Sequence, residues 1–181
     1  MLELYNSTNN RIRLSDADVF NLSIGKRVLN LELSKKNTIP VYSANTFEPF
    51  GYIDKLLIND FSKPSVIWGI DGDWMVNTID KDVQFYPTDH CGVIRLQKKN
   101  ILEEKYLAFA LGKEGTKIGF SRTKRASIDR ISGITIPLPN YSDQQKTVAQ
   151  IKKLEKQIAQ AQGIIDDSKQ QKQAILDKYL K

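Results

Sequence analysis

The chain has 181 residues, 27 of them basic and 21 acidic, with 40% hydrophobic side chains, enough for one domain with a core plus an appendage but too little for two compact domains. A single cysteine, Cys91, excludes an intrachain disulfide and a cysteine-built zinc site, no apolar run reaches the length of a membrane span, and the opening MLELYNSTNN lacks the order of a secretion signal. A soluble cytoplasmic protein is expected, and its net charge of +6 admits nucleic acid as a partner without requiring it.

The first ten residues carry little pattern and predict a loose arm or one short strand. RIRLSDADVFNLSIGKR then reads as a short ordered lead-in, an apolar segment over residues 19–24 and a turn at Gly25 followed by Lys26 and Arg27. Such a basic turn can touch phosphate or stand as a solvated hairpin tip. Residues 39–42 predict a strand, residues 43–50 an exposed loop, and residues 52–58 a second strand after Gly51. In the loop, Ser43, Asn45 and Thr46 lie among Tyr42, Phe47, Phe50 and Tyr52. Hydrogen-bonding side chains beside aromatic surface are the chemistry that reads bases; an ordinary aromatic-packed loop has the same composition.

PSVIWGIDGDWMVNTID predicts a buried strand over residues 65–70, a turn at Asp71-Gly72 and an alternating strand from Trp74, hence a hairpin. Strands over residues 83–86 and 92–96 follow. Asn100 is placed to cap a helix whose inner face is Leu102, Tyr106, Phe109 and Ala110, and which Gly112 ends. Residues 113–130 carry six cations against two carboxylates, with Gly115, Gly119, Ser121, Thr123 and Ser127 between them. This densest basic run, read as a loop, lets the backbone approach phosphate, and its arginines match the O6/N7 edge of guanine. A solvated basic surface loop is the plainer alternative.

No catalytic centre emerges. His90 and Cys91 are adjacent, which sends their side chains to opposite faces of an extended segment. Asp89 with Glu103, Glu104 and Lys105 faintly mimics the acids and lysine of metal-dependent nucleases, but the two glutamates open a helix, where its dipole favours them. GKEGTKIG lacks the Gly-Lys-Ser/Thr ending of a phosphate loop, and no GxGxxG turn is present.

The tail, residues 142–181, is helix composition: no proline, one glycine, and mostly Gln, Lys, Ala, Ile and Leu. Ser142 reads as the N-cap, Gln145 takes the capping-box position and Asp143 faces the positive end of the dipole. Ile151, Ile158, Ile165 and Tyr179 recur with a period of seven, and so do Leu154, Ala161 and Ile175, which writes a coiled-coil seam interrupted by Ser168 and Lys172. Roughly 39 helical residues at 1.5 Å each span about 58 Å. Such a helix calls for a partner, and pairing with a second copy is expected.

The layout SIGKR, then IPVYSANTFEPFGYID, then YLAFAL and a basic Gly/Ser loop, then ISGITIPLPNYSDQQKTVAQIKKLEKQI resembles one half of the specificity subunit of type I restriction-modification systems. The junction over residues 134–151 is the most specific part, with Asp143-Gln144 where that family commonly has Glu-Gln. The resemblance implies an α+β architecture: a β-rich target recognition domain over residues 1–141 and a spacer helix over residues 142–181. It further implies a homodimer joined antiparallel through the helices and a bipartite target in double-stranded DNA. At about 3.4 Å per base pair, a rod of that length sets two readers apart by something under two helical turns. Lys26, Lys117, Arg122, Lys124 and Arg125, with Ser121 beside them, would position on phosphate or read guanine, and Ser43, Asn45, Tyr52, Trp74 and Asn77 would face bases. The helix would dock methyltransferase subunits, which in that family hold S-adenosylmethionine and methylate adenine, and through them the restriction subunit that hydrolyses ATP. This chain would then be no enzyme and hold no metal or cofactor; it has no Pro-Pro dipeptide, so the Asn/Asp-Pro-Pro-aromatic motif of an adenine methyltransferase is absent. Two alternatives remain: the recognition portion of a fused restriction-methylation enzyme, and a coiled-coil module without a DNA role.

Overall fold

A computed structural model describes residues 10–180; the arm or strand expected at the start falls on residues 1–9, outside the described residues. The body is β-rich and mixed, and a single long helix follows it, the α+β arrangement that the sequence predicts. The chain divides into two units, Met1–Gln144 and Gln145–Lys181.

In the first unit, β1 (Arg11–Arg13) pairs antiparallel with β9 (Thr135–Pro137), so the start of the described chain is tied to its last strand. β2 (Phe20–Ile24), β8 (Cys91–Leu96), β5 (Ser65–Gly69) and β6 (Val76–Ile79) form a four-stranded antiparallel sheet in that order. β4 (Gly51–Ile53), β3 (Ile39–Tyr42) and β7 (Tyr86–Pro87) form a third sheet, in which β3 runs antiparallel to β4 and parallel to β7. Every residue of β5 is buried. A continuous apolar strand of this kind needs cover on both faces. Ile67 joins Ile79, Phe85, Cys91 and Val93 in one cluster, backed by Tyr42, Ile58 and Phe61, while α1 (Glu104–Ile118) packs against β5 and β6. Phe85 meets the Tyr42 and Phe61 rings edge-on, at centroid distances of 6.3 and 6.0 Å.

The hairpin β5–β6 forms with Ser65 opposite Ile79, and Gly72 supplies the positive φ of 82° that its turn requires. The strands expected over residues 52–58 and 83–86 shrink to Gly51–Ile53 and Tyr86–Pro87. Apolar residues there serve as plugs instead. Leu57 packs on Val41, Ile53 and Tyr86, and Ile58 on the Phe85 cluster, so neighbouring residues fill two different clusters rather than extending a ladder. Gly25 is a close approach and not a turn: a Cβ there would lie 1.9 Å from the Pro87 carbonyl oxygen, and the amides of Gly25 and Lys26 bond Cys91 and Pro87 carbonyls.

Helix α1 corrects the expectation at both ends. Asn100 takes a left-handed φ of 60°, and the cap is Glu103, whose carboxylate accepts the Tyr106 amide at 2.6 Å. Gly112 does not end the helix, which runs to Ile118 and stops at Gly119 with φ 76°. Tertiary packing explains why. The Trp74 indole donates to the Gly112 carbonyl at 2.9 Å, and its ring fills the space that a Cβ on Gly115 would occupy. The basic run is accordingly no single loop: it comprises the last turns of α1, an irregular stretch over residues 119–127 and the short helix α2 (Ile128–Ser132).

Helix α3 (Tyr141–Tyr179) has 39 residues. Its cap is Asn140, whose carbonyl accepts the Gln144 amide at 3.1 Å, so Ser142 lies exposed in the first turn. Gln144, not Gln145, does the polar work at this start. Fully buried, it accepts from the Glu103 amide at 2.9 Å and donates to the carbonyls of Ile101 and Pro139 at 3.0 and 2.8 Å. One amide side chain thus joins the entry to α1, the exit from β9 and the first turn of α3 within the first unit. In the second unit Leu154, Ile158, Ile165, Ile175 and Tyr179 are each at least 48% exposed, Ala161 is exposed and Ile151 half-buried. Among the described residues no helix is long and apolar enough to cross a membrane.

Candidate nucleic-acid interface

Four connections converge beyond the ends of β3, β5 and β7. The 43–50 loop is pinned against the end of β5: a Cβ on Gly69 would stand 2.3 Å from the Ala44 carbonyl oxygen. Asn77 on β6 holds the same loop by donating to the Thr46 carbonyl at 2.7 Å, and its own oxygen accepts the Thr78 amide. The turn after β7 is braced next to it, with the Thr88 amide on the Tyr42 carbonyl and the Thr88 hydroxyl on Ser43 Oγ at 3.1 Å. The stretch after α1 reaches the same place. Ala126, buried, donates to the Ile70 carbonyl at 2.7 Å and accepts the Trp68 indole at 2.8 Å.

Several residues singled out from the sequence come together here. Ser43 is half-buried on the Thr88 turn, and Asn45 folds its own loop by accepting the amides of Phe47 and Glu48. Lys26 is exposed, with its backbone beside Pro87. Ser121 shapes the 119–127 stretch through Thr123 and the Lys124 amide, and Lys124 Nζ caps α1 on the Ile118 carbonyl at 2.6 Å. Arg122 is exposed and has no hydrogen-bond or ion-pair partner among the described residues. Arg125, also exposed, stands 3.6 Å from Asp71. Lys117 pairs with Glu114 one turn earlier on α1.

Others have structural work that the sequence did not reveal. Trp74 spends its indole N–H on α1 and packs tilted against Phe120 at a centroid distance of 4.9 Å, and both polar atoms of Asn77 are taken. They hold loops in place. Tyr52 lies on β4 and is 42% exposed, and Phe47 and Phe50 in the loop before it are exposed too. Asp71 and His90 were not singled out as a pair; their contact joins turns 19 residues apart, and only the fold brings them within 2.8 Å. Cys91 is a fully buried core residue, and burial pushes its thiol up to about 12, away from the thiolate form that reacts. Among the described residues no group of three His, Cys, Asp or Glu side chains is arranged to hold a metal ion.

A β-rich domain in which polar and basic loops meet is thus followed in the chain by one long helix with an exposed apolar stripe. The chain belongs to the type I restriction modification DNA specificity domain family, whose model matches residues 13–167. It is 28% identical over 133 residues to a type I specificity subunit of Mycoplasma pneumoniae, an alignment that covers 71% of this chain and 43% of that one. Two solved structures share the fold. The type I restriction-modification S subunit from M. genitalium superposes with a TM-score of 0.64 at 16% identity, over 88% of this chain and 42% of that one. The HsdS subunit from Thermoanaerobacter tengcongensis gives 0.60 at 14% identity, over 83% and 38%. The chain therefore spans less than half the length of each of these relatives.

Proposed function

We propose that this chain is a sequence-reading unit for double-stranded DNA that acts as half of a type I specificity subunit. The family match across residues 13–167 carries this reading, and the convergence of four loops with Lys26, Arg122, Lys124 and Arg125 at one end of the domain supports it. Cations on phosphate supply affinity, and hydrogen-bonding side chains on base edges supply discrimination. In this reading Arg122 and Lys26 meet phosphate, Lys117, Ser121 and Lys124 shape or flank the contact, Ser43, Asn45 and Tyr52 approach bases, and Trp74 and Asn77 keep the loops rigid. The recognition domain covers residues 1–141 and the spacer helix residues 142–181. Chemistry is delegated: the helix pairs with a second copy and recruits modification and restriction subunits, which hold the cofactors and act on a bipartite target.

The test is binding of the full chain to a pool of duplex DNA with a randomised centre, followed over increasing salt. Enrichment of an interrupted palindrome, with affinity falling as salt rises, is the expected result. Binding that is equal for all sequences would overturn the recognition role.

A further inference from the structure

His90, Asp71 and Arg125 come from three separate connections, yet they meet at one point. His90 Nδ1 lies 2.8 Å from Asp71 Oδ2, Arg125 Nη2 lies 3.6 Å from the same oxygen, and His90 Nε2 stands 3.9 Å from Asp89 Oδ2. The side chains are 43%, 26% and 54% exposed, so His90 and Arg125 open to solvent while the shared carboxylate sits deeper. Each is mounted on pinned backbone. The His90 amide donates to Thr88 Oγ1 and its carbonyl accepts the Ile70 amide; Asp71 follows Ile70 directly; Ala126, next to Arg125, is bonded to the Ile70 carbonyl. A trio held within a residue of fixed hydrogen bonds on three elements has the rigidity that a reading site needs.

We propose that His90 and Arg125 read neighbouring base edges and that Asp71 is the residue that positions both. This rests on the duplex-reading role argued above. The carboxylate chemistry decides between phosphate and base. Asp71 beside Arg125, and Asp89 beside His90, repel phosphate, so these two side chains are poorly placed to follow the DNA backbone, unlike Arg122. A guanidinium oriented by a carboxylate is suited instead to the O6 and N7 acceptors of guanine. An ionised carboxylate only accepts, so Asp71 holds a proton on His90 Nδ1, and in the neutral imidazole Nε2 is left as an acceptor for an exocyclic amine of cytosine or adenine. Donor and acceptor side by side discriminate by pattern, with Asp71 acting through the other two.

The experiment selects from the same randomised duplex pool with the full wild-type chain, Asp71→Asn, His90→Gln and His90→Ala, with the melting temperature of each variant recorded. The expected result is loss of preference at one position for the His90 variants, by roughly 5- to 150-fold. Asp71→Asn relaxes that position and the one read by Arg125, while the salt dependence of binding stays that of wild type. Adding His90→Ala to Asp71→Asn has no further effect at the shared position. Variants that keep the full consensus and bind uniformly more weakly would overturn this assignment and leave the reading role standing. A wild-type chain that enriches no sequence would overturn the reading role itself.

Discussion

The two units treat apolar side chains in opposite ways. In the first, Ile67, Trp68, Leu107, Leu111 and Ile136 are each fully buried, and polar groups are fixed with comparable care, as the three bonds of Gln144 show. In the second, Ile158 and Ile164 are 68% exposed and Ile175 59%, although the helix is unbroken. The first unit buries a core of its own, although Phe47 and Phe50 stay exposed and Thr46 Oγ1 and Arg95 Nε are buried without a hydrogen-bond partner among the described residues. A helix that leaves a stripe of isoleucine and leucine in water is shaped for contact, because exposed apolar area of this extent marks an interaction surface. The difference fits the proposal that the first unit supplies the folded core and the second the surface for pairing.

Substitutions can break that separation, and the largest effect should come from the core. Gly92→Ala would set a methyl 2.1 Å from the Trp68 ring, which is itself fully buried and bonded to Ala126. The cost should be about 3 kcal/mol, read as a lowered urea midpoint. Gln144→Leu removes one acceptor and two donors from half-buried partners and should cost about 2 kcal/mol in the same assay. Arg122→Ala should leave the midpoint within about 0.5 kcal/mol of wild type. It should lower the slope of log K against log salt for duplex DNA by about 1. The smallest effect is a pH dependence. Burial, then the neighbouring Glu103, holds the Glu104 carboxyl above its ordinary range, although a backbone hydrogen bond opposes this. The folded state therefore binds that proton more tightly than the unfolded state, and stability falls as pH rises from the unfolded value through the raised one. Glu104→Gln should flatten this fall without changing the fold, as unfolding measured across the acid range would show.

The strands β3, β5 and β8 and the helix α3 were legible in the sequence because each obeys one period, either apolar alternation, a continuous buried run, or a repeat of seven. The errors fell where tertiary contact overrides local preference. Gly112 looked like a helix end, yet the Trp74 indole secures its carbonyl from 38 residues away. Residues 52–58 looked like a strand because Leu56, Leu57 and Ile58 are apolar, but Leu57 and Ile58 pack into separate clusters. The candidate site was legible in type more than in detail. Basic and polar residues on the loops that converge could be named from composition, whereas the commitment of Trp74 and Asn77 to holding the fold, the inward turn of Gln144 and the meeting of His90 with Asp71 depend on distances that no spacing encodes.

Pairing through the exposed stripe of α3 is tested most directly by molar mass in solution. Light scattering on the full chain should give twice the 20.6 kDa of one chain. Ile158→Lys with Ile165→Lys should return it to the monomer while leaving the urea midpoint of the first unit unchanged. A full-length chain that stays at the monomer mass across the concentrations used for DNA binding would contradict pairing through the exposed stripe.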